Sequence, residues 1–220
     1  MSLRPHYHYE LGEVERALLQ MSDAVRAMIG AALRALARGE AATARRVIRD
    51  DDDIDVRRVD IEERVLRLLA TQQPLATDLR FLFSAVRIAD ELERIGDYAE
   101  GIAKLALRDE SPITIELPDD LHTLTTHVQE MLGRSVAAFV ERDPTAAAQL
   151  ERDDERADTL NRALQSTLLR QIESTPAVAP QALRLLFVTH NLERIADRAV
   201  NIAERAAFIA TGRLPRRNAS

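Results

Sequence analysis

The sequence predicts an all-α protein built from two tandem, pseudo-symmetric three-helix bundles, six long antiparallel helices in all. Three observations lead there. Apolar residues recur at helical spacing along nearly the whole of the 220 residues. Hydrophobic residues make up 46%, aromatics only 4% and charged residues 30%, with 7 Gly and 8 Pro, a balance that suits helices with alternating faces and not a loop-rich chain. The phrase Leu92-Glu93-Arg94-Ile95-Gly96-Asp97 returns one hundred residues later as Leu192-Glu193-Arg194-Ile195-Ala196-Asp197, and Ala99, Ile102, Ala103 and Ala106 recur as Ala199, Ile202, Ala203 and Ala206. A fixed offset of this size marks a duplicated unit. The repeats are expected at residues 1–110 and 111–220.

Each element has its own signal. The first helix is expected from Tyr9 to Arg38, stopped by Gly39. The second runs from Glu40 to Ala70 and is broken by Thr71-Gln72-Gln73-Pro74, since proline ends a preceding helix. The third covers Leu75 to Leu107. Asp109 to Pro118 reads as the linker, with Ile113, Ile115 and Leu117 alternating as in extended chain. The fourth helix spans Asp119 to Glu141. Asp143-Pro144 is read as cap and first position of the fifth, which ends near Glu173. Thr175-Pro176 opens the sixth, with Pro180 able to delay its start by a turn, and Gly212 stops it. The tail through Ser220 is expected to fray. Thirty residues of helix extend about 45 Å, and short connections make neighbours antiparallel.

Composition excludes several classes of function. The formal charge of −6 makes the chain a poor nucleic-acid binder. With no cysteine there is no disulfide, thiolate zinc site or thiol catalysis. The N-terminus lacks the apolar core of a signal peptide, and no apolar run approaches the ~18 residues that span a bilayer, so a soluble cytoplasmic protein is expected. There is no Gly-rich phosphate loop, no His-Glu-x-x-His, no Gly-x-Ser-x-Gly and no Glu-x-x-His of di-iron bundles. Nothing looks like a nucleophile with its base.

The duplicated phrase carries the chemistry. Glu93 and Asp97, like Glu193 and Asp197, stand four residues apart on one helical face. Like charges at that spacing oppose helix formation by roughly 0.2–0.5 kcal/mol, and a bound cation is a natural compensation. Ile88, Leu92, Ile95, Ala99, Ile102 and Ala106 form the core stripe of the third helix, with Asp90, Glu93 and Asp97 opposite. The sixth helix repeats this, with His190, Glu193, Asp197, Asn201 and Glu204 opposite its stripe. The preceding helices hold matching pairs at an offset of 103, Asp51 with Asp55 and Asp154 with Asp158. Asp51 and Asp55 fall near the line of Ile48, Leu66 and Leu69, close to a packing surface. A single Glu-x-x-x-Asp is ordinarily a solvated face, and an acidic run at a helix start commonly complements the helix dipole. Two matched pairs on consecutive helices of both halves put surface cation sites on an equal footing with solvated acidic faces. His6 and His8 are expected to be mobile, His122 and His127 to sit on an exposed helix face, and His190 to lie beside the second acidic face.

At these residues the chain resembles the PhoU family of bacterial regulators of phosphate uptake and signalling. The likeness covers nearly the whole length and includes Gln73-Pro74-Leu75-Ala76-Thr77-Asp78-Leu79-Arg80 and Val47-Ile48-Arg49-Asp50-Asp51-Asp52. It implies that the acidic pairs are the family's metal motifs, binding surface clusters of iron or zinc, with manganese or magnesium also open to an oxygen donor set. By position, Asp51, Asp55, Glu93 and Asp97 would serve a first site, and Asp154, Asp158, Glu193, Asp197 and Asn201 a second. Gly101 stands where the second half has Asn201, and Ala196 where the first has Gly96, so the two sites are expected to differ in affinity. The resemblance further implies a non-enzymatic negative regulator that links the phosphate ABC transporter, through its ATPase PstB, to the sensor histidine kinase PhoR. A homodimer is the expected assembly. Two other readings stand beside it. One is a metal-storage or metallo-oxidase bundle, which should hold metal between helices with His ligands that this sequence lacks. The other is a structural helical oligomer with solvated acidic faces.

Overall fold

A computed structural model describes residues 5–108, 113–115 and 117–213, and among them six α-helices follow in the expected order with no strand. They are α1 (Pro5–Arg38), α2 (Ala41–Gln72), α3 (Thr77–Leu107), α4 (Asp119–Glu141), α5 (Ala146–Ser174) and α6 (Ala179–Thr211). The helix α1 begins a turn earlier than the sequence suggests. Proline suits a first helical position, and Tyr7 and Leu11 are buried at this end of the helix. The start of α5 is later than expected. Asp143 does not cap it; its Oδ1 accepts the Thr145 N–H and hydroxyl, both at 2.8 Å, and closes a local turn before the helix. Before α6 a 3-10 turn, Pro176–Val178, takes up the residues ahead of Pro180, and Gly212 ends the helix at φ 71°.

Of the connection between the halves, Ile113 is buried, and Gln181 of α6 holds the segment by accepting the Thr114 and Ile115 N–H groups at 2.8 and 3.1 Å. Residues 109–112 and 116 of the expected linker, and the tail from 214, lie outside the described residues.

Helices α1, α2 and α3 pack on one another, as do α4, α5 and α6. Between the triads α3 packs along α6 and α1 along α4. The result is a row α2–α3–α6–α5 backed on one side by α1 and α4. The expected stripes hold it together. Ile88, Leu92, Ile95, Ala99 and Ile102 are all 0% exposed, and so are Val188, Leu192, Ile195, Ala199 and Ile202. Each large aliphatic buried in this way contributes roughly 1.5–3 kcal/mol. The buried residues form one continuous core across both triads, and Phe81 stacks on Phe139 at 5.0 Å across their junction.

The seam between α3 and α6 is antiparallel. Arg80 Nε donates to the Ile209 carbonyl at 3.0 Å, Arg194 Nε to the Tyr98 hydroxyl at 3.5 Å, and Arg198 Nη1 to Glu91 Oε2 at 3.2 Å. Glu91 and Arg198 have side chains only 11% and 16% exposed. Removing one partner of so enclosed a pair strands the other's charge, whereas replacing both does not. Glu91→Ala is therefore expected to lower stability by about 3 kcal/mol in denaturant unfolding, with Glu91→Leu combined with Arg198→Leu losing much less. Equal losses in the single and double variants would show that the pair does not hold the seam.

Candidate metal centre

The carboxylates expected from the repeat face outward, in the groove where α2 runs beside α3. Asp51 comes close at Gly96: a Cβ there would stand 2.7 Å from Asp51 Oδ1, so the carboxylate rests against the bare backbone of α3. Asp51 is half-buried, while Asp55 and Asp97 are exposed. Burial, and then the charges of Asp97, Glu100, Asp55 and Glu93, push the Asp51 carboxyl up to about 7. Burial followed by Asp97 and Asp55 raises Glu93, with Arg58 and Arg94 opposing. Burial followed by Asp55 and Glu100 raises Asp97, with Lys104 and Arg94 opposing. All four expected residues of the first site thus act on one another.

A fifth carboxylate belongs with them. Glu100 couples to both Asp51 and Asp97 and is itself held by Lys104 at 2.5 Å. Its spacing from Asp97, three residues on, is a readable signal. The repeat conceals it, because the matching position in the second half is the buried Val200. Further along the same groove Arg58 lies 3.3 Å from Glu62 and 3.9 Å from Asp90, an ion-paired middle next to the acidic end.

The second groove, between α5 and α6, is less strongly charged. Burial followed by Asp197 raises Glu193, with Asp158 adding to it and His190 and Arg194 opposing. His190 Nδ1 stands 3.5 Å from Glu193, and Arg194 stands 3.8 Å from Asp197. The structure therefore brings Asp158, Glu193 and Asp197 together with His190. Asp154 lies one turn from Asp158 along α5, and Asn201 one turn from Asp197 along α6, both half-buried. Ala196, 1% exposed, fills the place that Gly96 leaves open in the first half.

Two expectations fail. His127 is buried, not exposed, and its Nε2 donates to the Asp153 carbonyl at 2.8 Å, tying α4 to α5. Leu66 is 57% exposed, so it does not belong to the packing line of α2, which runs through Ile54, Ile61, Val65 and Leu68. A cleft of about 520 Å³ between α1 and α4 contains none of the acidic pairs.

The donor set fits a hard or borderline cation: it is all oxygen, mutually repelling and partly desolvated. It is not a finished cage. Among the described residues no group of three or more His, Asp or Glu side chains is arranged so as to hold an ion. The first groove would hold a cation through Asp51, Asp55, Glu93, Asp97 and Glu100. The second would do so through Asp154, Asp158, Glu193, Asp197 and Asn201. A bound ion would add positive charge to each groove.

Fold and site define an internally duplicated helical protein whose repeats each carry an acidic outer groove. The chain belongs to the PhoU family: the family model for the PhoU domain matches residues 18–106 and again 121–206. It is 32% identical over 211 residues, 96% of each chain, to the phosphate-specific transport system accessory protein PhoU homolog of Clostridium acetobutylicum. It is 35% identical over 207 residues, 93% of each chain, to the homolog of Aquifex aeolicus. The crystal structure of the phosphate transport system regulatory protein PhoU from Streptococcus pneumoniae matches with a TM-score of 0.87 at 30% identity, over 96% of this chain and 100% of that one. PhoU from Pseudomonas aeruginosa matches with a TM-score of 0.86 at 28% identity, over 94% and 100%.

The raised Asp51 acidity makes stability depend on pH. An unfolded Asp titrates near 3.9, so between about pH 4 and 7 the folded protein binds more protons than the unfolded chain. The contribution is fully present below that window and is lost as pH rises through about 7. In chelator, the metal-free protein is expected to melt at a lower temperature at pH 8 than at pH 5, and Asp51→Asn to narrow that difference. An identical pH profile in the variant would remove Asp51 from the cluster.

Proposed function

We propose that this protein is an accessory regulator of a phosphate-specific transport system, a cytoplasmic and non-enzymatic adaptor whose acidic grooves bind metal ions. The observation that supports it most is likeness over more than nine-tenths of the chain to accessory proteins of that system, joined to two outward carboxylate groups on matched helices. In this reading the protein communicates between the transporter ATPase PstB and the sensor kinase PhoR, and keeps phosphate-starvation genes silent when phosphate is plentiful. No helix among the described residues is long and apolar enough to cross a membrane, which is in keeping with reaching a transporter through its partner. The ions proposed are iron or zinc, with manganese or magnesium open to the same oxygen donors. A storage or oxidase bundle is disfavoured, because the carboxylates line surface grooves and the interior between the helices is apolar.

Two experiments test the proposal. Replacing Glu193 and Asp197 together by Ala should remove metal from the second groove while leaving the fold intact, read by elemental analysis of protein made without a chelating tag. Unchanged metal content would remove these residues from the site. Deleting the gene, together with any paralogue, should switch on a phosphate-starvation reporter at high phosphate. Equal repression with and without the gene, and no capture of PstB or PhoR by the purified protein, would overturn the adaptor role.

A further inference from the structure

The acidic grooves do not end where their carboxylates end. The Arg58–Asp90 contact fixes the antiparallel register of α2 and α3, and two turns beyond it Leu66 comes opposite the Leu82–Phe83 step. Leu66 is 57% exposed and Phe83 54%. Val86 lies beside them, partly buried against the core. The second half repeats this at the same offsets that relate the carboxylates. Leu169 matches Leu66, Leu183 matches Phe83 and Leu186 matches Val86, with Leu169 51% and Leu183 50% exposed. One further apolar side chain extends each patch, Leu79 at 46% in the first half and Phe187 at 57% in the second. A lone exposed leucine needs no explanation, but groups of exposed apolar side chains, duplicated in register and edged by charge, mark an interaction surface.

We infer that each outer groove, α2/α3 and α5/α6, docks one basic amphipathic helix of a partner protein, with apolar anchors on the Leu66–Phe83 and Leu169–Leu183 patches and Arg or Lys against the carboxylates when these hold no metal ion, so that cation and partner compete for the acidic end. Charge complementarity selects this occupant. From Phe83 to Glu93 is ten residues, about 15 Å along the helix, so one partner helix of five or so turns spans both ends. Its apolar face would enter the groove at i, i+3, i+4 and i+7, and basic residues further along would meet Asp55, Glu93 and Asp97. A second copy of this chain seated through the same grooves brings only acidic grooves of its own and so offers the carboxylates no basic counterpart. Because α3 and α6 are antiparallel, the two grooves point in opposite directions on the molecule, and a partner that fills both presents its two helices with twofold symmetry. Docking of this kind is independent of which protein carries the helix, so failure of the phosphate-signalling test leaves it standing.

The probe is a fluorescein-labelled synthetic peptide of about 20 residues, long enough to extend ~30 Å, with Leu at helical spacing along one half and Arg on the same face along the other. A companion peptide carries Glu in place of every Arg. Fluorescence anisotropy with the full chain in chelator is expected to show two sites per chain for the Arg peptide, affinity that falls as salt rises, and no binding of the Glu peptide. Leu66→Ser with Phe83→Ser should remove one site, and Leu169→Ser with Leu183→Ser the other, each weakening its groove about tenfold or more. Asp55→Asn with Asp97→Asn should weaken the first groove and reduce its salt dependence. The substituted apolar side chains are half-exposed, and thermal unfolding of each variant is the check that it folds. If one pair of variants does not fold, the pair in the other groove decides. Undiminished binding in the apolar variants, a single site, or equal binding of the Glu peptide would overturn the inference. Sedimentation showing that the chain self-associates through Phe83 and Leu183 would make a second copy the occupant and overturn it as well.

Discussion

The rotation of α3 and α6 about their own axes governs nearly everything else in this protein. Each helix carries an apolar stripe that buries on three neighbours at once, and a helix so enclosed has one rotation that leaves no polar group in the core. Once Ile88, Leu92, Ile95 and Ile102 point inward, Glu93 and Asp97 must face the groove beside α2. The same holds for Val188, Leu192, Ile195 and Ile202 with Glu193 and Asp197. The acidic grooves are thus consequences of core packing. The fold holds like charges together because the apolar stripe outweighs their repulsion.

The two grooves share a plan but not a strength. In the first, Gly96 lets Asp51 lie against α3, and Glu100 adds a further carboxylate, so five negative groups meet with Lys104 and two arginines as their counter-charges. In the second, a buried Ala196 takes the space at the helix contact, Val200 replaces the extra carboxylate, and His190 and Arg194 offset the charge of Glu193. The pattern is shared by the two halves, and they differ at Gly96 against Ala196 and at Glu100 against Val200. A residue without a side chain, Gly96, sets how near one carboxylate comes to four others.

Much of this is legible in the amino-acid order alone. Six helices, their order and the outward register of the acidic pairs follow from a period of 3.6 applied to Leu92, Ile95 and Ala99 and their copies. The illegible features depend on partners from other elements. The partner of His127 is a backbone carbonyl of α5, and the pairing of Glu91 with Arg198 joins helices a hundred residues apart; neither leaves a trace in local spacing. Leu66 resembles core because α2 has two apolar lines, and only packing tells which of them faces inward. Glu100 escapes a search for repeated carboxylates, since a feature that distinguishes the halves is by nature not repeated. The apolar ends of the grooves are hidden for a different reason: a duplicated leucine reads the same in a sequence whether it lies inside the core or outside it.

The central claim is that folding gathers carboxylates into grooves that remain short of positive charge. Thermal unfolding of the chelator-stripped protein, titrated with manganese or zinc against sodium at matched ionic strength, tests it most directly. A cation that binds only the folded grooves raises Tm with the logarithm of its concentration, reaching about 2.7 kcal/mol of added stability at a hundredfold excess over Kd. That rise, absent with sodium, is the expected result. A Tm that follows ionic strength alone, whichever cation supplies it, would contradict the claim and leave the carboxylates as a solvated face.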